Sequence, residues 1–365
     1  MKKDAWNAVE RMRKGNIPGL SMALIDHGML NRQECWGETG LGSGKPIQAD
    51  TMFNACSISK FAAAMLVLLL VEEGILGLDE DVCGRLVAWK IPEDPLYDSR
   101  DITLRRLLSH QAGFADPEGS FGVFSREYGA PTMADLLEGT TYYSPKPAAL
   151  MAEPGSQFIY SDTGYRILQQ LIEDVTGKSF ERLMQEKIFE PLHMNHSRIV
   201  TSDMDIRPGS ASGHNKHGER LQDPYTIYPF PAAAGLWATP SDLALLLIEL
   251  MNSVHGRGRL VISAETASDM ILPQGCFQWT GLGVFLDTSN GQLEISSLGW
   301  GVGYQCMLIA HPYTGRGAVL MMNADPGVHQ NQSLLGEAAS MWRQGQLDKR
   351  KIRKTSINVL SQKRS

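Results

Sequence analysis

The chain holds few cysteines. Cys35, Cys56, Cys83, Cys276 and Cys306 are five among 365 residues, an odd number without the short paired spacings of a metal site. They read as free buried thiols in a reducing compartment, not as a disulfide framework. No uninterrupted apolar run reaches the ~20 residues of a membrane-spanning helix. The opening residues Met1-Lys2-Lys3-Asp4-Ala5-Trp6 pass straight to charged Glu10, Arg11, Arg13 and Lys14 without the apolar core of a secretory signal. The expected address is therefore cytoplasmic, or extracytoplasmic if a leader has been removed. Net positive charge is also lacking, and the formal charge of −6 argues against a nucleic-acid partner. Three catalytic signatures are missing: the Gly-x-Ser-x-Gly elbow, His-Glu-x-x-His, and the phosphate-cradling Gly-x-x-x-x-Gly-Lys-Ser/Thr. His214 and His217 lie three apart in a loop rich in Gly, Asn and Lys, with no third ligand nearby, and read as surface residues. No metal and no cofactor are expected.

With 43% hydrophobic and 20% charged residues, the chain can bury a sizeable core. Its most informative feature is Ser57-Ile58-Ser59-Lys60 at the head of the apolar run Phe61 to Val71. Residues three apart on a helix share a face, roughly 5–6 Å between Cβ atoms. Ser57 at the amino end gains from the helix dipole, which favours a developing alkoxide, and burial is expected to push Lys60 down towards a useful base. That is the logic of a Ser-Lys acyl hydrolase. Gly74 follows as the expected helix stop.

Two further stretches give this tetrapeptide a context. Glu153-Pro154-Gly155-Ser156-Gln157-Phe158-Ile159-Tyr160-Ser161-Asp162 joins a Pro-Gly turn to a tyrosine just ahead of a long amphipathic helix. Leu298-Gly299-Trp300-Gly301-Val302-Gly303-Tyr304 is a glycine-rich strand entry where backbone can approach a ligand closely. In these stretches the chain resembles the serine hydrolases grouped as class C β-lactamases, penicillin-binding proteins, D-amino acid peptidases and family VIII esterases. Those carry Ser-x-x-Lys, then Tyr-x-Asn or a variant, then Lys-Thr-Gly, His-x-Gly or Trp-Gly-Gly, in that order. Ile17-Pro18-Gly19-Leu20-Ser21, Leu107 to Gly113, Ala234 to Thr239 and His311 to Gly315 look like further landmarks of the group.

The resemblance implies that Ser57 attacks a carbonyl, that Lys60 accepts or relays its proton, and that Tyr160 is the second base and returns a proton to the leaving group. It implies an oxyanion hole from the N–H of Ser57 and one N–H between Trp300 and Tyr304, with Gly303 the expected donor and Trp300 and Gly301 beside the substrate. His110 is read as a structural hydrogen-bonder. The sequence departs from the group twice. Asp162 replaces the amide of Tyr-x-Asn; ionised, it can only accept hydrogen bonds and favours a charged Lys60. Trp300 stands where relatives have a lysine or histidine to meet a substrate carboxylate, so recognition of an anionic terminus should be weaker. The expected substrate is a small ester, β-lactam or short peptide. Esterase or weak β-lactam-hydrolysing activity ranks above D-Ala-D-Ala carboxypeptidase or D-amino acid peptidase activity. A poorly active penicillin-binding or sensor module is the rival.

Helical periodicity is expected over Asp4 to Lys14, Leu104 to Ser109, Tyr165 to Val175, Phe180 to Ile188 and Gln332 to Gln344. Strands are expected at Leu20 to Asp26, Leu282 to Leu286, Gln292 to Ser296, Gln305 to Ala310 and Ala318 to Met322. Strand groups split by a helical stretch imply an α+β fold. By resemblance, residues 1–75 and 205–346 build an antiparallel sheet flanked by helices, and 76–204 an inserted all-helical domain. Residues 347–365 form a basic tail; 348–365 alone carry +6, leaving −12 for the rest. The tail is expected to be solvated and disordered.

Overall fold

The computed structural model describes residues 6–93 and 95–347. Its main sheet has six antiparallel strands in the order β2-β1-β9-β8-β7-β6. The first strands, β1 (Gly19–Asp26) and β2 (Met29–Gly37), form a hairpin. The other four are β6 (Phe285–Asp287), β7 (Glu294–Gly301), β8 (Tyr304–His311) and β9 (Arg316–Met322). A small sheet joins β3 (Phe53–Asn54), β5 (Leu236–Ala238) and β4 (Arg198–Ile199). Helices α1 (Ala8–Lys14), α2 (Ile58–Glu72), α3 (Leu104–Leu108), α4 (Met133–Glu138) and α5 (Asp162–Thr176) belong to the first half. They are followed by α6 (Phe180–Met184), α7 (Pro231–Ala234), α8 (Pro240–Val254), α9 (Ala264–Met270) and α10 (Leu334–Arg343).

The central strands are covered on both faces, which is why they read as nearly continuous apolar runs. On β8, Cys306, Leu308 and Ala310 join the core shared with α2 and α8, while Met307 and Ile309 join the core shared with α1 and α10. Side chains alternate across a strand, so one run of residues serves both layers. At the sheet edge β2 has no fully buried residue, and its polar stretch Asn31 to Glu34 carries little strand signal.

α2 is apolar all round because it is buried all round, from Ile58 to Leu70. Fifteen residues make a helix about 22 Å long, enough to cross the core. Among the described residues no helix is long and apolar enough to cross a membrane.

Several expectations need correction. α1 begins at Ala8, and Asp4 and Ala5 lie outside the described residues. The cysteines are free but not uniformly buried: Cys56 and Cys306 are buried, Cys35 and Cys83 partly so, and Cys276 is exposed. His214 is fully buried, with Nε2 accepting the Leu41 N–H at 3.0 Å and Nδ1 2.8 Å from the Asn323 carbonyl. Of the basic tail, Leu347 is buried, and its carbonyl accepts from Arg32; the remainder lies outside the described residues.

Candidate active site

α2 starts where it does because of the residue before Ser57. Cys56 has a left-handed backbone, φ 48°, which costs a non-glycine residue roughly 1–2 kcal/mol. Asn54 supports it. Its Oδ1 accepts the Cys56 N–H at 2.7 Å, and its Nδ2 donates to the Thr226 carbonyl at 2.7 Å. The chain turns sharply there, and the Ser57 hydroxyl caps no helix N–H.

One turn on, Lys60 is 3% exposed and its ammonium is fully engaged. Nζ donates to Ser57 Oγ at 3.1 Å and to the Ala233 carbonyl at 3.0 Å, and lies 2.6 Å from Asp162 Oδ1. Burial alone would lower the Lys60 pKa, as the sequence suggested. The Asp162 carboxylate, with help from the Tyr160 phenol, outweighs that and holds it above the ordinary lysine value. Lys60 is therefore a cation in the resting site.

Asp162 opens α5, capped by Ser161, whose Oγ accepts the Gly164 N–H at 3.1 Å. The Asp116 carboxylate accepts the N–H groups of Asp162 and Thr163 at 2.9 and 2.7 Å, an anion at the positive end of a helix. His110 Nδ1 accepts the Ser161 N–H at 3.1 Å, and the His110 ring lies 4.3 Å from that of Tyr160. Burial, then the Lys60 charge, pulls the His110 pKa down to about 3, so the ring is neutral and Nδ1 is free to accept. Tyr160 is 41% exposed, and Lys60 Nζ lies 5.0 Å from its ring centre. Ser57, Lys60, His110 and Tyr160 line one narrow cleft with Thr280, Phe285 and Ser297.

The strand wall of this cleft begins ahead of the residues singled out in the sequence. The residues of β7 that line it are Ser297 and Leu298. Gly299 permits the approach: a Cβ there would lie 2.4 Å from the Ala55 carbonyl oxygen and 2.2 Å from Cys306 Sγ. The side chain of Trp300 instead extends to Asp325, the indole N–H donating to Oδ1 at 2.8 Å. Gly301 packs against Tyr228 and Cys56 and does not line the cleft. Gly303 sits in the hairpin turn at φ 83° against Gly213, its carbonyl accepting the His214 N–H. It too is outside the cleft lining. Val302 and Gly303 form a two-residue turn closing on Gly301 and Tyr304. Backbone bonding alternates along an antiparallel ladder, so Gly301, Gly299 and Ser297 bond to β8. The amides of Leu298 and Trp300 face the opposite edge, beyond Ser296, where pairing with β6 ends.

Of the residues singled out in the sequence, the fold brings Ser57, Lys60, Tyr160 and Asp162 together, while Gly301, Gly303 and the Trp300 side chain lie outside the cleft lining. The sequence reading missed Ser297, Gly299, Asp116 and the Ala233 carbonyl. Only Gly299 carried a signal, as the first of three alternating glycines.

Similarity to other proteins agrees with this fold. Penicillin-binding protein 4 of Amycolatopsis lactamdurans is 26% identical over 261 residues, covering 70% of this chain and 65% of that protein. The chain therefore matches somewhat less than two thirds of that relative's length. D-amino acid amidase from Ochrobactrum anthropi superposes with a TM-score of 0.75 at 21% identity, covering 92% of this chain and 98% of that one. The octameric penicillin-binding protein homologue from Pyrococcus abyssi gives 0.73 at 22% identity over 92% and 76%. The beta-lactamase family model matches residues 7–339, and with nearly the whole fold inside that match the chain belongs to the beta-lactamase family.

Proposed function

We propose that the chain is a serine hydrolase that cleaves neutral esters or amides through a Ser57 acyl-enzyme. The observation that carries this reading is the Lys60 ammonium, which holds Ser57 Oγ at 3.1 Å and Asp162 Oδ1 at 2.6 Å in the cleft that Tyr160 lines.

A charged Lys60 cannot be the first proton acceptor. In this reading Tyr160, beside the Lys60 cation, is the base that takes the Ser57 proton as Oγ attacks the carbonyl carbon. Lys60 stabilises the negative charge that develops on the reacting oxygens. The N–H of Ser57 and that of Trp300, which faces the free edge of β7, hold the oxyanion. Tyr160 passes the proton to the departing oxygen or nitrogen as the carbonyl–leaving-group bond breaks. Water, deprotonated by Tyr160, then attacks the acyl carbon, and Ser57 leaves with that proton.

Preference for neutral substrates follows from charge. Among the described residues lining the cleft, the basic side chains are Lys60 and His110. The first is ion-paired and the second neutral. Neither is free to meet a substrate carboxylate, which argues against a D-Ala-D-Ala carboxypeptidase and favours an esterase or an amidase like the Ochrobactrum enzyme. The rival reading, a penicillin-binding or sensor module that acylates slowly, draws on the same ion pair, since Lys60 must be reached through Tyr160.

Incubation with a p-nitrophenyl ester and with a fluorescent penicillin, read by intact mass and turnover, separates these readings. Ester turnover with a transient Ser57 adduct supports the hydrolase; a lasting penicillin adduct without turnover supports the sensor. Ser57→Ala should abolish adduct and turnover while shifting stability by at most ~1–2 kcal/mol. Ester hydrolysis persisting in Ser57→Ala would move the nucleophile elsewhere.

A further inference from the structure

A row of aromatic rings runs from Tyr160 to the near end of β7, and the chemistry described so far uses only its first member. The Tyr160 ring lies tilted against His110, whose ring is 5.6 Å from that of Phe158. Phe158 meets Trp279 at 4.3 Å, and Trp279 stacks on Phe285 at 6.2 Å. Phe285 lines the Ser57 cleft and pairs with Ser296, next to Ser297. Despite these neighbours, Trp279 remains 44% exposed, and Phe158 and Phe285 are only partly buried. The wall is nevertheless firmly held. The Trp279 carbonyl accepts the Leu286 N–H at 2.9 Å, and Gln111 Nε2 donates to the Gln274 carbonyl at 3.0 Å, tying the Trp279 loop to the segment that carries His110.

We propose that Phe158, Trp279 and Phe285 form a leaving-group subsite for an aromatic or bulky apolar alcohol or amine; the inference rests on the hydrolase reading above. Direction along the cleft decides which half of the substrate meets the wall. The oxyanion donors are Ser57 and, further along β7, the Trp300 amide, so the carbonyl points there. The wall lies at the other end of the β7 edge and joins Tyr160 through His110, and Tyr160 is the group that hands a proton to the departing atom. As the Ser57 Oγ–acyl bond forms and the acyl–oxygen bond breaks, the former Ser57 proton ends on an alcohol held against these rings. No charged side chain belongs to the wall, so the favoured leaving group is apolar as well as neutral.

The test compares benzyl acetate with ethyl acetate. Their alcohols are similar in acidity, and both give the same acetyl-Ser57, so a difference in kcat/KM between them reports acylation. The wild-type chain should favour benzyl acetate. Trp279→Ala should lower the benzyl-to-ethyl ratio about tenfold, the worth of roughly 60 Å² of lost apolar contact. Trp279→Leu, which keeps an apolar side chain, should recover part of the ratio. Ethyl phenylacetate, with its ring on the acyl side, should keep its rate relative to ethyl acetate in Trp279→Ala. A benzyl-to-ethyl ratio unchanged by Trp279→Ala, or an equal loss for the acyl-side ring, overturns the leaving-group assignment while the hydrolase reading stands. No turnover of either ester by the wild-type chain, or turnover that survives Ser57→Ala, overturns the hydrolase reading and the subsite with it.

Discussion

Asp162 Oδ1 lies 2.6 Å from Lys60 Nζ, with side-chain exposures of 8% and 3%. Two opposite charges share a buried pocket, and the carboxylate keeps on Lys60 a proton that burial alone would disfavour. Removing one partner of such a pair usually costs about 3–5 kcal/mol because the other charge is left buried. Asp162→Asn should fall at the low end, since Lys60 can shed its proton.

The same substitution should change reactivity in the opposite sense. Without the carboxylate, burial controls Lys60 and lowers its pKa, and the new amide can donate to a substrate carbonyl. Acylation by penicillin is expected to rise roughly ten- to a hundredfold, the worth of about 1.5–3 kcal/mol from a charge-assisted bond. Stopped-flow acylation kinetics would read this, and an unchanged or lower rate would refute the inhibitory role given to Asp162. Thermal denaturation supplies a second readout. A lysine pKa raised in the folded state stabilises the fold below the unfolded value, roughly pH 10.4, and that contribution is lost as pH rises further. Asp162→Asn should remove this alkaline loss.

His110 sets an acid limit by the reverse argument. Its pKa is about 3 when folded against an ordinary 6.5, so below about pH 6.5 the unfolded chain takes up a proton that the folded chain refuses. Stability should fall towards pH 3 with a slope approaching about 1.4 kcal/mol per pH unit from this group. His110→Asn, whose side-chain oxygen can still accept the Ser161 N–H, should flatten that part of the melting-temperature profile. An equally steep acid profile in the variant would assign the loss to other groups.

The reading of β7 can be tested by moving a cation along it. Ser297→Lys puts an ammonium in the cleft, where it can meet a penicillin carboxylate, and should raise penicillin acylation about tenfold or more. Trp300→Lys, whose side chain points towards Asp325, should not. Equal gains from both substitutions, measured as second-order acylation rates, would contradict the strand orientation described here.

Gly299 offers a steric test of the same strand. A methyl there would meet the Ala55 carbonyl oxygen at 2.4 Å, and backbone cannot swing aside as a flexible side chain can. Gly299→Ala should destabilise the fold by about 1–3 kcal/mol, as overpacking does, and shift β7 away from Ser57. Turnover should fall more than tenfold even below the melting temperature. A stable, fully active variant would mean that the strand has room to spare.

Ser57 and Lys60 were legible because one helix carries both, and helical spacing fixes their relation without knowledge of the rest of the fold. α2, β8 and β9 were legible because complete burial leaves unbroken apolar runs. β2 was not, since an edge strand without a fully buried residue tolerates Asn31, Arg32, Gln33 and Glu34. Placing the cleft wall required choosing among Gly299, Gly301 and Gly303, which alternate at intervals of two and so all present the same local pattern. The choice is made by where β6 pairs with β7 and by the close approach of residues 55 and 56, contacts between distant parts of the chain. The protonation of Lys60 was legible only in part: its neighbours on α2 imply burial and a lowered pKa, and the opposing charge of Asp162, about a hundred residues away, enters only through the resemblance that sets the two side by side.

β1 lies between β2 and β9, with Leu20 opposite Met322. During synthesis, about three hundred further residues must therefore leave the ribosome before the second strand edge of the first hairpin finds its neighbour. Until then the nascent chain presents Leu20, Met22 and Leu24 beside unpaired amides, an arrangement prone to capture by other strands. Translation that stops before Arg316 leaves that edge open permanently, so incomplete chains are destined for chaperones, proteolysis or inclusion bodies, and late pairing makes a slow folder of the complete one.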